Sequence, residues 1–450
     1  MPPMQMPPEL QPVDCLISAR WVIPVEPEDV ALPHHSVAVN KGLIEAVLPT
    51  AEAVRRYSPA RRIDLGEHAL IPGLVNLHTH AAMTLMRGLA DDLPLMQWLE
   101  KHIWPTEARH VSPQFVRDGT LLACAEMLCG GITTFNDMYF FPEDAARAAL
   151  ESGMRAAIGI IAIEFPTAYA SDPDDYIQKG LAARDALKEE SRLSFCMAPH
   201  APYTVSDRTF ECILVLAEEL DLPIHLHVHE TQGEIEGSLA AHGKRPLARL
   251  QALGLLGPRL IAVHSVHLDD AEIAAMARAN VSIAHCPSSN LKLASGFAPV
   301  AALLEHGVNI GLGTDGAASN NRLDMFQEMR LAALLAKGVS GRAEAMPAAR
   351  ALTAATLGGA RALGLDQRIG SLLPGKQADL CAVRLDGPGL VPCYDPISHL
   401  TYAAGRENVT HVWVDGRLLV NEQQLITINV GDLYKNTHLW QNKLIAETKA

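Results

Sequence analysis

The sequence predicts an α/β protein whose main body is a (β/α)8, TIM-like barrel, and three observations lead there. Short apolar strand-like runs alternate with Ala- and Leu-rich helical stretches through most of the chain, polar residues sit where those runs stop, and both ends of the chain have a different, β-rich texture. A barrel of eight βα units takes about 250 residues, so a chain of 450 leaves room for a second, smaller unit.

From residue 14 to 72 the chain reads as short strands, with runs such as Cys15–Pro24 and Val37–Leu48 separated by turn residues. Ala378–Leu385 and Val409–Val420 repeat that texture near the C-terminus, the second broken by Asp415 and Gly416, a hairpin signal. Between them the helical run Phe115–Cys129 followed by the strand-like Ile132–Phe135 is one example of the alternation. Five strand-like segments end on a histidine or an acid: Leu74–His80, Leu193–His200, Ile224–Glu230, Leu260–His264 and Asn309–Asp315. Barrel enzymes carry their chemistry at the C-terminal ends of the strands, so these ends are where a site is expected.

Composition narrows the function. The chain is 48% hydrophobic and 20% charged, as ordinary globular proteins are. A net charge of -14 argues against nucleic acid, whose binding depends on Lys and Arg neutralising phosphates, and favours a small uncharged or cationic substrate. The eight cysteines form no CxxC pair, so neither a disulfide framework nor a Cys-rich zinc site is expected. The opening MPPMQMPPEL lacks the basic-then-apolar order of a secretory signal. No apolar run approaches the roughly 18 residues of a membrane span, so a cytoplasmic protein that touches no membrane is expected.

Alternation of side chains along a strand points residues i and i+2 to the same face, so His78 and His80 can reach one metal ion. The same parity puts His225, His227 and His229 on one face of a second strand, with Glu230 at its end. Three such rings cannot all be ordinary core residues, because each needs partners for its nitrogens. At least one is read as a ligand, the others as interior hydrogen-bonding or supporting groups. His264 and Asp315 end two further runs. Two histidines from one strand, one from another and an aspartate suit zinc or another first-row divalent ion, with a position left open for water.

The ordered segments HTHAAMTLMRG, APHAPY, HVHET, HSVHL, HCPSSNLKLASG and LGTDGAASNN closely resemble the amidohydrolase branch that holds the 5'-methylthioadenosine and S-adenosylhomocysteine deaminases, triazine hydrolases and guanine deaminase. The resemblance runs from about Pro72 to Leu363 and implies that the flanks, including GKQADL at Gly375–Leu380, build a composite β-sandwich. The implied division is 1–71 for the first part of that sandwich, 72–374 for the catalytic barrel, and 375–450 for the second part with a C-terminal helix. Carried over by position, it implies that His78, His80, His227 and Asp315 hold one divalent ion, zinc first among them, and that Glu230, His264 and Asp315 are catalytic. Glu107, His200, Glu230 and Trp98 are the implied substrate contacts, Glu107 at a position associated with ribose hydroxyls. His200 stands where binuclear relatives carry a bridging lysine, so one metal is expected, and the run Arg155–Ile161 lacks a further arginine found in some relatives, which weakens the case for a charged substrate tail.

The activity so implied is hydrolytic deamination of the adenine ring of 5'-methylthioadenosine by a metal-activated water, with S-adenosylhomocysteine and adenosine as further candidates. Asp315 would accept the water proton, Glu230 would protonate the ring and His264 would hydrogen-bond the attacking oxygen. Apolar residues after the first motif, Met83, Leu85, Met86, Leu93, Leu95, Met96 and Trp98, are read as packing or, for some, as a pocket for the 5'-alkylthio group. A guanine or triazine aminohydrolase would use the same metal set, and a scaffold without activity is the non-enzymatic alternative, against which the complete ligand set argues. Barrels of this kind commonly associate, so a homo-oligomer is expected.

Overall fold

The computed structural model describes residues 10–448; the opening through Glu9, on which the expected lack of a secretory signal rests, lies outside the described residues. Five strands come first: β1 (Gln11–Val22), β2 (Leu32–Asn40), β3 (Leu43–Pro49), β4 (Tyr57–Asp64) and β5 (His68–Pro72). Eight follow: β6 (Leu74–Thr79), β7 (Ile132–Asp137), β8 (Arg155–Ala162), β9 (Leu193–Pro199), β10 (Ile224–Val228), β11 (Leu260–His264), β12 (Ser282–His285) and β13 (Asn309–Leu312). The last four are β14 (Leu380–Arg384), β15 (Val409–Val414), β16 (Arg417–Asn421) and β17 (Gln424–Leu425), before a terminal helix Val430–Thr448.

The middle eight pair in parallel and in chain order, as βα repetition requires. Their seam lies between β13 and β6. There the Asn76 amide donates to Thr314 Oγ1 at 2.7 Å and accepts from the Thr314 amide at 2.9 Å, and the Asp315 amide donates to the His78 carbonyl at 3.0 Å. Gly313 permits this approach, since a Cβ on it would stand 2.8 Å from His78 Cβ.

The other nine strands form one mostly antiparallel sheet in which β14 pairs with β5 along Leu380–Arg384 and Pro72–His68, binding the end of the chain to its beginning. The run expected at Val37–Leu48 is two strands, turned at Lys41 and Gly42, both with positive φ. The expected turn at Asp415 and Gly416 also has both residues at positive φ, the backbone of a tight hairpin. Strands from both chain ends enclose one apolar core around Ile17, Val37, Leu70, Leu380 and Trp413. The sheet is tied to the barrel by the buried Arg155, whose Nε lies 3.0 Å from Asp379 Oδ2 and whose Nη2 lies 2.5 Å from Asp415 Oδ1. Among the described residues no helix is long and apolar enough to cross a membrane.

Gly313→Ala is expected to cost roughly 1 to 3 kcal/mol through overpacking against His78 and to weaken binding at the strand ends of β6 and β13. Thermal unfolding checks this: a variant as stable as the parent would show that the seam has slack.

Candidate metal and substrate site

The strand ends deliver their side chains to one small space at the C-terminal mouth of the barrel. His78 lies in β6, His80 follows it, His227 lies in β10, His264 ends β11 and Asp315 follows β13. Asp315 Oδ1 stands 3.2 Å from His78 Nε2 and 3.3 Å from His80 Nε2, and His227 Nε2 stands 3.2 Å from His78 Nε2. His264 stacks on the His227 ring with centroids 5.4 Å apart. His264 and Asp315 both take left-handed backbone, φ 67° and 60°. For non-glycine residues that conformation costs on the order of 1 kcal/mol or more and concentrates at functional sites.

The proton positions on these rings follow from their outer partners. His80 Nδ1 faces the Met138 carbonyl at 2.6 Å and His227 Nδ1 faces the His200 carbonyl at 2.7 Å. A carbonyl only accepts, so both rings carry their proton on Nδ1 and, when neutral, turn a bare Nε2 lone pair inward. Burial lowers the pKa of His78 to about 4 and that of His227 well below the ordinary histidine value. Asp315 is ionised: although burial opposes it, the hydrogen bond and charge of His78 hold its carboxyl well below the usual range. The bare Nε2 atoms of His80 and His227 and the Asp315 anion thus converge on His78 in a buried space, an arrangement that a cation among them would stabilise. His78, His80 and Asp315 place ligand atoms within 4.8 Å of one another, as do His78, His227 and His264. The donor set fits a divalent ion of the zinc kind.

The second strand corrects the parity reading at one position. β10 stops at Val228, and His229, with φ 57°, turns out of the site. Its Nδ1 donates to the His267 carbonyl at 3.0 Å and its Nε2 accepts from the Leu247 amide at 2.9 Å, so both nitrogens are spent on backbone. His225 does stay inside, with Nε2 2.9 Å from His78 Nδ1.

Glu230 lies beyond the strand end, with Oε2 3.8 Å from His264 Nε2 and Oε1 3.5 Å from Ser295 Oγ. Glu234 holds the turn by accepting from the amides of His229 and Glu230 at 3.0 and 2.8 Å. Burial raises the Glu230 pKa above the ordinary carboxyl value. His200, after β9, bonds Thr204 Oγ1 at 2.9 Å.

A pocket opens onto this cluster. His80, His227, Glu230, His264 and Asp315 line its floor, and Trp98, Trp104, Tyr139, Phe140, Phe165 and Tyr203 line its walls. Glu107 lines it too, accepting from Tyr139 Oη at 2.7 Å, and burial pushes its carboxyl up to about 7. His200 and Trp98 are part of the lining, so every expected substrate contact reaches the pocket. Of the apolar run, Met83, Leu95 and Trp98 reach it, whereas Leu85, Met86, Leu93 and Met96 do not. Tyr139, Phe140 and Phe165 escaped the sequence reading, although Tyr139 follows the polar end of β7 and so had the strand-end signal. No lysine or arginine lines the pocket among the described residues.

A model of the amidohydrolase family matches residues 69–419. The 5-methylthioadenosine/S-adenosylhomocysteine deaminase of Saccharophagus degradans is 48% identical over 436 residues, which cover 97% of this chain and 98% of that protein. A solved adenosine deaminase from Xanthomonas campestris, with bound zinc, is 51% identical with a TM-score of 0.96, covering 97% of this chain and all of that one. An atrazine chlorohydrolase from Arthrobacter aurescens, also solved with zinc, is 26% identical with a TM-score of 0.87 over 95% of this chain and 99% of that one.

Zinc at 100 times its dissociation constant is expected to stabilise the folded chain by about 2.7 kcal/mol. Thermal melts with zinc, with a chelator and with His80→Asn check this: the melting temperature rises, the chelator reverses the rise, and the variant loses most of it. Melts indifferent to all three would contradict a cation site.

Proposed function

The chain belongs to the amidohydrolase family, and on that premise we propose that it deaminates the adenine ring of 5'-methylthioadenosine, releasing ammonia and the inosine analogue. The observation that carries the reading is one pocket joining a His and Asp cluster at its floor, a half-buried carboxyl at Glu107 and an aromatic wall that, among the described residues, holds no lysine or arginine. The near full-length relative from Saccharophagus degradans supports the same activity.

In this reading His78, His80, His227 and Asp315 hold one divalent ion, zinc by preference, which when bound supplies the positive charge that readies water for attack at neutral pH. Asp315 takes the proton of the water as its oxygen adds to C6 of the purine. Glu230, whose carboxyl burial pushes toward the neutral form, delivers a proton to N1, and His264 borders the attacking oxygen through Nε2. The proton on Asp315 then passes to the exocyclic nitrogen, the C6–N bond breaks and ammonia leaves, while the remaining proton of the added hydroxyl restores that of Glu230 as the C6 carbonyl forms. Glu107, with one oxygen occupied by Tyr139, offers the other to the ribose diol, while Trp98 and its aromatic neighbours cover the methylthio group. His200 completes the substrate's surroundings beside the His227 ring.

The lack of a lysine or arginine among the described residues lining the pocket gives the substrate preference its direction. The carboxylate of S-adenosylhomocysteine would enter an apolar pocket without a basic partner, and an unpaired buried charge is costly. We assign the barrel unit to 72–374 and the flanking unit to 1–71 with 375–450, which the pairing of β5 with β14 supports. Eight free cysteines support a reducing, cytoplasmic setting, and a homo-oligomer completes the proposal.

Ammonia release from 5'-methylthioadenosine, S-adenosylhomocysteine and adenosine in parallel tests the reading. The methylthio compound is expected to lead S-adenosylhomocysteine by at least about tenfold in kcat/KM, each tenfold being 1.4 kcal/mol, and Glu230→Gln to lose about 10² to 10⁴ in kcat; full activity in that variant would remove Glu230 from the mechanism.

Glu107 sets a pH dependence whose sign follows from its raised pKa of about 7. Below that pH the group is neutral and one acceptor poorer, so KM is expected to fall as the pH rises through 7. Glu107→Gln should flatten that limb, and an unchanged profile in the variant would place the titration elsewhere.

A further inference from the structure

The segment HCPSSN carries no role in the steps above, yet its short helix Pro287–Lys292 touches two of the groups they use. Ser289 Oγ donates to Asp315 Oδ2 at 2.6 Å, and Asn290 Oδ1 faces His264 Nδ1 at 2.8 Å. All four side chains are buried. We propose that Ser289 and Asn290 are tandem positioning residues: Ser289 occupies one Asp315 oxygen so that the other faces the histidines, and Asn290 fixes the His264 tautomer.

The geometry of each bond supports this. An amide oxygen only accepts, so it holds the His264 proton on Nδ1 and leaves the Nε2 lone pair facing Glu230 and the reacting space. Among the described residues Asn290 Nδ2 has no hydrogen-bond partner, so the bond to His264 is the one side-chain tie this amide makes there. On Asp315 the serine takes Oδ2, while Oδ1 accepts from the Gly316 amide at 2.7 Å and lies nearest His78 and His80. The helix itself is held from behind: Glu328 accepts from the Ser288 amide at 3.0 Å, and Gln327 Nε2 donates to Ser288 Oγ at 3.0 Å. One rigid turn thereby orients the proton acceptor and the histidine together.

The deaminase reading supplies only what the two oriented groups then do. The test therefore reads the groups themselves, in zinc-loaded, full-length protein labelled with 15N-histidine. Two-bond proton–nitrogen correlation, with His264→Gln to assign the ring, is expected to find the His264 proton on Nδ1 in the parent and in Asn290→Asp, which keeps an acceptor oxygen. In Asn290→Leu the proton shifts to Nε2 or divides between the nitrogens, and kcat falls about 10- to 100-fold with little change in KM. Ser289→Ala keeps the His264 tautomer but binds zinc about 10- to 100-fold more weakly in competition with a chelator. An Nδ1 proton that persists in Asn290→Leu, with a lower melting temperature as the variant's one defect, would overturn the role of Asn290. Zinc held by Ser289→Ala as tightly as by the parent would overturn that of Ser289. Should no adenine nucleoside be turned over while the ring and zinc respond as stated, the deaminase reading fails and the positioning roles stand.

Discussion

Mutual repulsion at the barrel mouth is the constraint on which the site depends. The His80 lone pair lies 3.3 Å from an ionised Asp315, and both that carboxylate and the His227 lone pair lie 3.2 Å from His78 Nε2, in a largely buried space. Each inward lone pair exists because the far side of its ring donates to a carbonyl, at Met138 for His80 and at His200 for His227. Those carbonyls belong to segments that follow neighbouring barrel strands, so the ligand chemistry is written into the strand register. A cation resolves the repulsion; protonation would have to overcome the burial that depresses His78 and His227.

The barrel supplies the precision this needs. Closing the sheet between β13 and β6 brings Asp315 against His78 through a backbone bond and through the Asn76 and Thr314 pair, with Gly313 leaving the necessary room. The strained backbone at His264 and Asp315 is held by the same surroundings, in keeping with strain persisting where the neighbouring structure over-determines it. Above the cluster the chemistry changes from polar to apolar. The half-buried Glu107 and the buried Glu230 are shifted by desolvation toward the neutral form, which suits Glu230 to deliver a proton and makes Glu107 sensitive to pH near 7. In the proposed reading, substrate choice rests on the aromatic rings of the wall and on the lack, among its described residues, of a basic side chain.

Much of this was legible in the sequence because strand chemistry is local. Period-two spacing put His78 with His80 and His225 with His227, and the polar residues at strand ends marked Glu230, His264 and Asp315 before any coordinates. The same rule misplaced His229, since parity holds only while the strand lasts and β10 ends at Val228. Long-range partners left no local trace. Tyr139 reaches Glu107 across 32 residues, Asn290 reaches His264 across 26, and Asn76 meets Thr314 across 238, contacts that barrel closure and loop packing create. The outer sheet was read as strands at both ends of the chain, but its union through β5 and β14 came from resemblance and became visible as pairing only in the fold.

Anomalous diffraction at the zinc edge, on crystals of the zinc-loaded protein, would show whether the cluster at the barrel mouth holds a cation and through which atoms. One zinc per chain is expected, ligated by Nε2 of His78, His80 and His227 and by an Asp315 oxygen, with His264 nearby through Nε2 but not bound to the ion. A zinc held by His78, His227 and His264 without His80 and Asp315, or two zinc ions in the cluster, would contradict it.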